Sequence, residues 1–418
     1  MAACSGWQLQ LLVSVPSVAS CKLFYSENAL AALAGAGYHD AVSFAFLLAL
    51  FTVVSLVLTL WQWLVASTFP LHARIPVTGF HPPVSILKPL KGRDARTAEC
   101  LRSWCDQEFP GTTQILFGVD SPDDPVCHLV HEIIAAYPKL DAQLVLCPET
   151  HGTNAKVSTL IQLQRLAKHA CIIVSDADVH APPDLLKQVL EPLAQPNVGL
   201  VNCFYRLTNV SNFGMRWEAF AINADFWSQV LQARSLKSID FAMGAVMAMR
   251  RSNLEAIGGF AAVADYLADD YQLGNKIAHS GSQIVISPIV VECRSATQTW
   301  KDIWNHQIRW ARTIRVSRPI PYFLSKLSNA TFWPLLWVAC DPSPRSFGFG
   351  ALCLVVRMLE AFYCERKLTG RSRASSLWMA PVKDIFQIVI WLLAFTGNRV
   401  TWRGRHFRVQ PSGKLVSS

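Results

Sequence analysis

Residues 171–179 read CIIVSDADV. The apolar, β-branched opening has the composition and length of a buried strand, and it stops abruptly at Asp176-Ala177-Asp178. In open α/β sheets ligands bind outside the carboxyl ends of the strands. Two carboxylates at i and i+2 on such an end can share one hard cation, Mg2+ or Mn2+, with phosphate oxygens completing the set. The competing reading is a capped turn before His180-Ala181-Pro182-Pro183.

Working outward, further short runs of the same kind recur: VSILKPL from Val84, QILFGVD from Gln114, QLVLC from Gln143, VGLVNCF from Val198 and QIVISPIVV from Gln283. Helix-like stretches such as LLKQVLEPLA from Leu185 lie between several of them. Strands alternating with helices predict an α/β fold with a mostly parallel sheet over residues 75–320. The near-continuous apolar character of the strands predicts burial on both faces.

Residues 41–71 carry no charge, and 41–66 predict a transmembrane helix after an N-terminal segment, 1–40. Lys22 is the one Lys or Arg before it, whereas Arg74, Lys88, Lys91, Arg93 and Arg96 follow. The positive-inside rule therefore places the α/β domain in the cytoplasm. Residues 327–397 turn apolar again in pieces and predict two or three spanning or re-entrant helices. The tail, 398–418, holds Arg399, Arg403, Arg405, Arg408 and Lys414 without an acid, which suits either an anionic lipid surface or a solvated tail.

Composition agrees. Of 418 residues 51% are hydrophobic and 16% charged, and mean hydropathy is +0.26. That balance argues against a purely soluble or a disordered chain. The net charge of +9 forms no compact patch and no nucleic-acid recognition motif accompanies it, so a membrane surface or a phosphate-bearing substrate is the expected partner and nucleic acid is not. Twelve Cys without a C-x-x-C pair predict scattered thiols in a reducing compartment rather than a zinc site. A P-loop, a G-x-G-x-x-G fingerprint and a G-x-S-x-G elbow are all missing, which argues against a P-loop ATPase, a dinucleotide enzyme and a serine hydrolase.

Other residues could carry chemistry. Lys88-Pro89-Leu90-Lys91-Gly92 places two Lys and a Gly at a strand end, suited to a nucleotide diphosphate. Asp120 ends QILFGVD and could accept hydrogen bonds from a base or ribose, or simply form the turn before Pro122. Asp269-Asp270 are adjacent carboxylates that raise each other's pKa, apt for a general base, and they could equally serve the start of a helix near Tyr271. His306-Gln307-Ile308-Arg309-Trp310 lies on a helix-like stretch. There Arg309 could clamp a phosphate and Trp310 cover a sugar, or the basic, Trp-rich helix could lie on a membrane surface.

Taken in order, GVDSPDDP (Asp120), VSDADV (Asp176), DYLADDYQLGNKI (Asp270) and HQIRW (Arg309, Trp310) resemble the motifs of the family 21 glycosyltransferases, the ceramide glucosyltransferases. NAKVSTL, with Asn154 and Lys156, and FAMGAVMAMRRSNLEAIGGF resemble the family's intervening stretches. The resemblance covers about residues 80–320 and the flanking membrane segments. Two features depart from the animal-type pattern: His306 stands where Gln or Arg is usual, and Asp178 supplies a second carboxylate. Both look like bacterial members, whose cousins are hopanoid-pathway transferases acting with N-acetylglucosamine.

The resemblance implies a GT-A fold and an inverting transfer of a hexose from a UDP-sugar to a lipid hydroxyl, UDP-glucose to ceramide foremost. The alternatives are UDP-N-acetylglucosamine to a hopanoid polyol and a processive polysaccharide synthase. It implies Asp120, Lys156 and Asp176, with Lys88, on the donor side, and Mg2+ or Mn2+ on Asp176 and Asp178. It implies Asp270 as base, Arg309 on the phosphate charge, and Trp310 with His306 toward the acceptor. The implied setting is a multi-pass protein of the bacterial inner membrane with its catalytic domain in the cytoplasm.

Overall fold

Strand residues alternate between two cores, and that alternation organises the domain. In the computed structural model, which describes residues 27–371, 374–402 and 405–417, β1 (Val84–Pro89) is buried along its whole length. It pairs in parallel with β2 (Thr113–Val119) on one side and β4 (Cys171–Ser175) on the other. β3 (Asp141–Leu146) forms the outer edge beyond β2. Beyond β4 come β7 (Val246–Arg250), antiparallel, then β6 (Val198–Thr208), β8 (Gln283–Arg294) and the two-residue β5 (Val179–His180).

Side chains on successive strand residues point to opposite faces. Ile86, Phe117 and Ile173 thus join one core with α2 (Thr97–Cys105), α3 (Val126–Ala136) and α5 (Leu185–Leu190). Leu87, Leu116, Ile172 and Val174 join the other with α4 (Ala155–Leu166), α8 (Arg251–Ala256) and α9 (Asp269–His279). Each such side chain withdrawn from water contributes roughly 1.5–3 kcal/mol. The carboxyl ends of β1, β2 and β4 are thereby held side by side on a sheet sealed on both faces.

Outside the sheet, after a short loop from β6, α6 (Phe213–Phe220), a π-helix (Ala221–Phe226) and α7 (Trp227–Leu236) run on from one another without a break. A capping box opens α10 (Trp300–Ser317), with Thr299 and Asp302 each bonding the other's backbone N–H at 3.2 Å. Then come α11 (Pro319–Leu324), α12 (Phe332–Cys340), α13 (Pro344–Thr369) and α14 (Ser375–Phe395).

A long helix, α1 (Glu27–Thr68), precedes the domain, and the boundary between two compact units, Met1–Leu47 and Leu48–Ser418, falls inside it. Residues 1–26, most of the N-terminal segment read from sequence, lie outside the described residues. Among the described residues, three helices are long and apolar enough to cross a membrane: Phe44–Thr68, Pro344–Thr369 and Ser376–Phe395.

The basic tail is folded where it is described. β9 (Arg399–Trp402), β10 (Arg405–Val409) and β11 (Leu415–Ser417) form an antiparallel sheet. Val400, Phe407, Val409 and Leu415 cover Leu267, and Leu415 N–H donates to Asp265 O at 2.7 Å.

Gly274 on α9 makes a close approach possible, since a Cβ there would stand 2.2 Å from Ala242 N. Gly274→Ala should therefore lower stability by about 1–3 kcal/mol, read as a fall in Tm in detergent. Gly348→Ala, with open space around it, serves as the neutral control.

Candidate active site

The carboxyl edge of the sheet gathers the charges. Lys156, in the first turn of α4, lies with its Nζ 2.7 Å from Asp176 Oδ1 and 3.3 Å from Asp269 Oδ2. Its helix is fixed by Asn154, whose Oδ1 accepts from Val157 N–H at 3.1 Å while its Nδ2 donates to Tyr266 O at 2.8 Å. Burial by itself would lower the Lys156 pKa, but the Asp176 and Asp269 carboxylates outweigh it and raise it above the usual lysine range. The end of β4 and the start of α9 are thus tied through one ammonium.

Asp269 and Asp270 occupy the first turn of α9, inside the helix rather than ahead of it, with Ala268 at the cap. Their charge is favourable at the positive end of the helix dipole. Asp270 Oδ1 accepts from its neighbour's Tyr271 N–H at 2.7 Å. A Cβ on Gly244 would come within 2.8 Å of Asp270 Oδ2, so the glycine leaves the space that this carboxyl occupies. Burial, with the adjacent Asp269 charge, pushes Asp270 up to about 6 against the opposing pull of Lys156. Burial and the Asp176 charge likewise push Asp178 up to about 6.

Lys88 stands apart from the loop role read from sequence. It is wholly buried, its Nζ donates to Asp176 O at 2.5 Å and Ser175 Oγ at 3.2 Å, and it lies 4.7 Å from the Trp104 ring centroid. Burial lowers its pKa to about 8 even though Asp176 and Asp178 pull the other way. The exposed lysine of that stretch is Lys91, which pairs with Asp120 at 2.6 Å beyond the end of β2.

The α10 motif forms a second cluster. His306 Nδ1 lies 2.7 Å from Glu218 Oε1 of α6, and Gln307 Nε2 donates to the same oxygen at 3.0 Å. Trp310 meets the His306 ring at 4.6 Å, edge to face, and Phe226 of the π-helix at 6.4 Å. Phe226 in turn packs 5.7 Å from Tyr205 of β6. Tyr205 is held in a partly buried, acidic setting. Its hydroxyl is raised well above its ordinary value by burial first, then by Cys293, Asp270, Glu218 and Asp178.

The structure therefore brings Lys88, Lys156, Asp176, Asp178 and Asp270 together around Asp269. Asp120 sits at a neighbouring strand end, and His306 and Trp310 are grouped on α10 with Arg309 between them in sequence. Sequence reasoning missed Glu218, Tyr205 and Gly244. Glu218 is an acid within an otherwise mostly apolar helix, a detectable signal, but its partner lies 88 residues away.

Among the described residues no group of three or more His, Cys, Asp or Glu side chains could hold a metal ion. Asp176 and Asp178 are a hard oxygen pair, and the burial and neighbouring Asp176 charge that raise Asp178 are offset when a divalent cation binds. Such a pair fits Mg2+ or Mn2+ when phosphate oxygens supply the remaining ligands.

A family model described as glycosyl transferase family 21 matches residues 44–415. Ceramide glucosyltransferase 3 of Caenorhabditis elegans is 24% identical over 363 residues, 84% of this chain and 78% of the relative. Ceramide glucosyltransferase of Candida albicans is 35% identical over 115 residues, 25% of this chain and 21% of the relative. Beta-monoglucosyldiacylglycerol synthase of Synechocystis is 23% identical over 237 residues, 55% of this chain and 47% of the relative. Among solved structures, a mannosyltransferase from Pyrobaculum calidifontis in complex with GDP-Man and Mn2+ superposes with a TM-score of 0.54 at 20% identity, covering 83% of this chain and 99% of that one. The fold is GT-A.

Lys156→Met leaves the nearly buried Asp269 and the 40% exposed Asp176 without their shared counter-charge and should cost about 1–3 kcal/mol, the Asp269 side dominating because water screens Asp176. Thermal unfolding in detergent reads this as a lowered Tm, with Lys156→Arg retaining most of the stability.

Proposed function

The chain belongs to glycosyl transferase family 21, and on that premise we propose that it moves a hexose from a UDP-sugar to a lipid hydroxyl with inversion, most specifically glucose from UDP-glucose to ceramide. The carrying observation is Asp270, a carboxyl raised to about 6 and held in a glycine-made recess beside the Lys156 ion pairs. A group of that pKa takes protons near neutral pH. The names of the worm and fungal relatives support the lipid and the sugar, and the apolar helices support a membrane-borne acceptor.

In this reading Asp270 accepts the proton of the lipid hydroxyl as that oxygen attacks the anomeric carbon. The bond from that carbon to the diphosphate oxygen breaks, and UDP departs with the electron pair. Asp120 contacts the uridine or its ribose, with Lys91 holding that carboxylate in place. Lys156 and the β4 end line the diphosphate, while Lys88 acts from beneath by fixing the backbone of Asp176. Mg2+ or Mn2+ on Asp176 and Asp178 would supply Lewis-acid stabilisation of the leaving diphosphate. Arg309 meets the developing phosphate charge. Trp310, buttressed by His306 and Phe226, forms the acceptor wall, and Glu218 fixes the His306 ring. The protein is a multi-pass membrane enzyme with this site on the cytoplasmic face of a bacterial inner membrane.

A second acceptor and donor pair, a hopanoid polyol with UDP-N-acetylglucosamine, is favoured by two particular residues, His306 and Asp178. Purified protein in detergent, offered both donors with both lipids and with or without Mn2+, decides between them. Glucosylceramide as product supports the first reading and an N-acetylglucosaminyl hopanoid the second.

Asp270→Asn should reduce transfer about 10²–10⁴-fold with Tm preserved. Because the base works ionised, kcat/KM of the unsubstituted enzyme should rise with pH through about 6, where Asp270 deprotonates, and fall tenfold per unit below it. An acid limb that persists unchanged in Asp270→Asn would show that another group titrates.

A further inference from the structure

Three helices qualify as spans by composition, but their packing divides them. α13 runs parallel to α1 and in step with it. Gln62 Nε2 donates to Glu360 Oε1 at 3.3 Å, Trp63 lies 6.0 Å from Tyr363, and Lys367 Nζ donates to the carbonyls of Ala66 and Ser67 at 2.9 and 2.6 Å. The carboxyl end of α13 is fastened to the α/β domain. Arg206 of β6 donates to Thr369 O at 2.7 Å, and the His72 ring lies 2.9 Å from Leu368 O. At 1.5 Å per residue the opposite end of α13 lies about 38 Å from Thr369, more than a hydrocarbon core of about 30 Å, and midway along it Arg357 bonds Asp225 at 2.9 Å, so the π-helix lies alongside this crossing.

The chain reaches that far end from the domain side, because Arg318 is bonded to Asp240 at 2.6 Å. Residues 319–340 therefore make the outward journey as a broken helix, α11, the 3₁₀ turn Ser325–Ser328, and α12. Trp333 of α12 lies 4.6 Å from Phe51 of α1, and Gly350 of α13 admits Val338 and Pro334. The break is internally satisfied, as lipid requires. Asn329 Oδ1 accepts from Thr331 N–H and Phe332 N–H at 3.1 and 2.8 Å, and Thr331 Oγ1 donates to Asp384 Oδ2 at 2.7 Å.

α14 is fastened to the domain side at both ends. Trp378 stacks on Phe213 at 6.4 Å near its start. Near its end Trp391 Nε1 donates to Tyr322 O at 3.2 Å, Phe395 lies beneath the Arg315 guanidinium at 5.5 Å, and Arg315 bonds Asn398 just beyond. Phe386, midway, meets Trp304 of α10. Trp378, Ile385, Val389 and Leu392 are exposed at helical spacing and form one apolar stripe. On the buried side Lys383 and Asp384 join Arg357, Asp225 and Glu360 in an ion cluster, with Arg357 Nε 2.9 Å from Asp384 Oδ2 and Arg357 Nη1 2.5 Å from Glu360 Oε2.

We infer that α14 lies in the plane of the bilayer, against the leaflet next to the catalytic domain, with its apolar stripe in lipid. The crossings are α1, the broken limb 319–340 and α13, so the turn at Asp341–Ser343 emerges on the opposite face. This rests on the reading of the chain as a membrane protein. It changes which segment is the third crossing: if α13 and α14 crossed as a pair, the Thr369–Arg371 turn would be remote from the domain and Asp341–Ser343 beside it.

The test uses the full chain in sealed proteoliposomes whose outward-facing domain is identified by trypsin sensitivity, probed with a membrane-impermeant maleimide. In a Cys340→Ser background, Arg371→Cys should label in intact vesicles and Pro342→Cys only after detergent. Native Cys340, exposed at the end of α12, should behave like Pro342→Cys in the unsubstituted chain by peptide mapping, which needs no variant to fold. The reverse pattern, or labelling of both positions in intact vesicles by a protein that resists alkaline carbonate, overturns the inference. Labelling of both by a protein that carbonate extracts instead overturns the membrane reading on which it rests.

Discussion

The candidate site depends on one ammonium group standing between two carboxylates. Lys156 holds Asp176, at the end of β4, and Asp269, at the start of α9, although these segments are more than ninety residues apart in the chain. Lys156 and Asp269, each 11% exposed, are tolerable in so little water only together, because either alone would bear its desolvation penalty uncompensated, while Asp176 keeps one side in solvent. Their mutual dependence fixes the spacing between the edge where a diphosphate would rest and the helix turn that presents Asp270. It also explains why Asp270 is raised while Lys156 stays charged. Burial penalises ionisation of both groups, but the ammonium is compensated twice and Asp270 has a like charge as its nearest neighbour.

Around that centre the protein is layered by polarity. Sheet strands apolar on both faces make a rigid edge, and at that edge the pattern is broken by Lys88 and Ser175, as at the opposite ends of β1 and β2 it is broken by the hydrogen-bonded Ser85 and Gln114. Lys88 is the instructive case. A lysine within a buried strand donates to a backbone carbonyl and faces an aromatic ring, and the burial that lowers its pKa makes it a prop beneath the site rather than a mobile contact. The exposed Lys91–Asp120 pair is more easily rearranged by a ligand, since water screens it.

Much of this was legible in the chain. CIIVSDADV and QILFGVD announce strand ends because period and composition change together at one residue, and that placed Asp176, Asp178 and Asp120 on one edge. The uncharged stretch 41–71 announces itself by length. What could not be read is what depends on distant partners. Glu218 meets His306 only because α6 packs on α10, and Tyr205 meets Phe226 only because β6 packs beside the π-helix. α14 has the hydropathy of a span, yet its orientation is set by Trp378, Trp391 and Phe395 finding partners on one side. The basic tail reads as loose because its charges dominate its composition, while Val400, Phe407, Val409 and Leu415, spaced through it, are enough to fold it.

That small terminal sheet has a consequence for how the molecule is made. Its backbone bond from Leu415 to Asp265 and its cover over Leu267 pin the loop that leads into Asp269 and Asp270. Contacts so distant in sequence form late, after the intervening helices have been synthesised. Until then the loop before the acidic turn is held from the α4 side, by Thr153 and Asn154. Maturation of the site is thus tied to synthesis of this terminal sheet, so a nascent chain stalled before it carries the large sheet but not a finished centre.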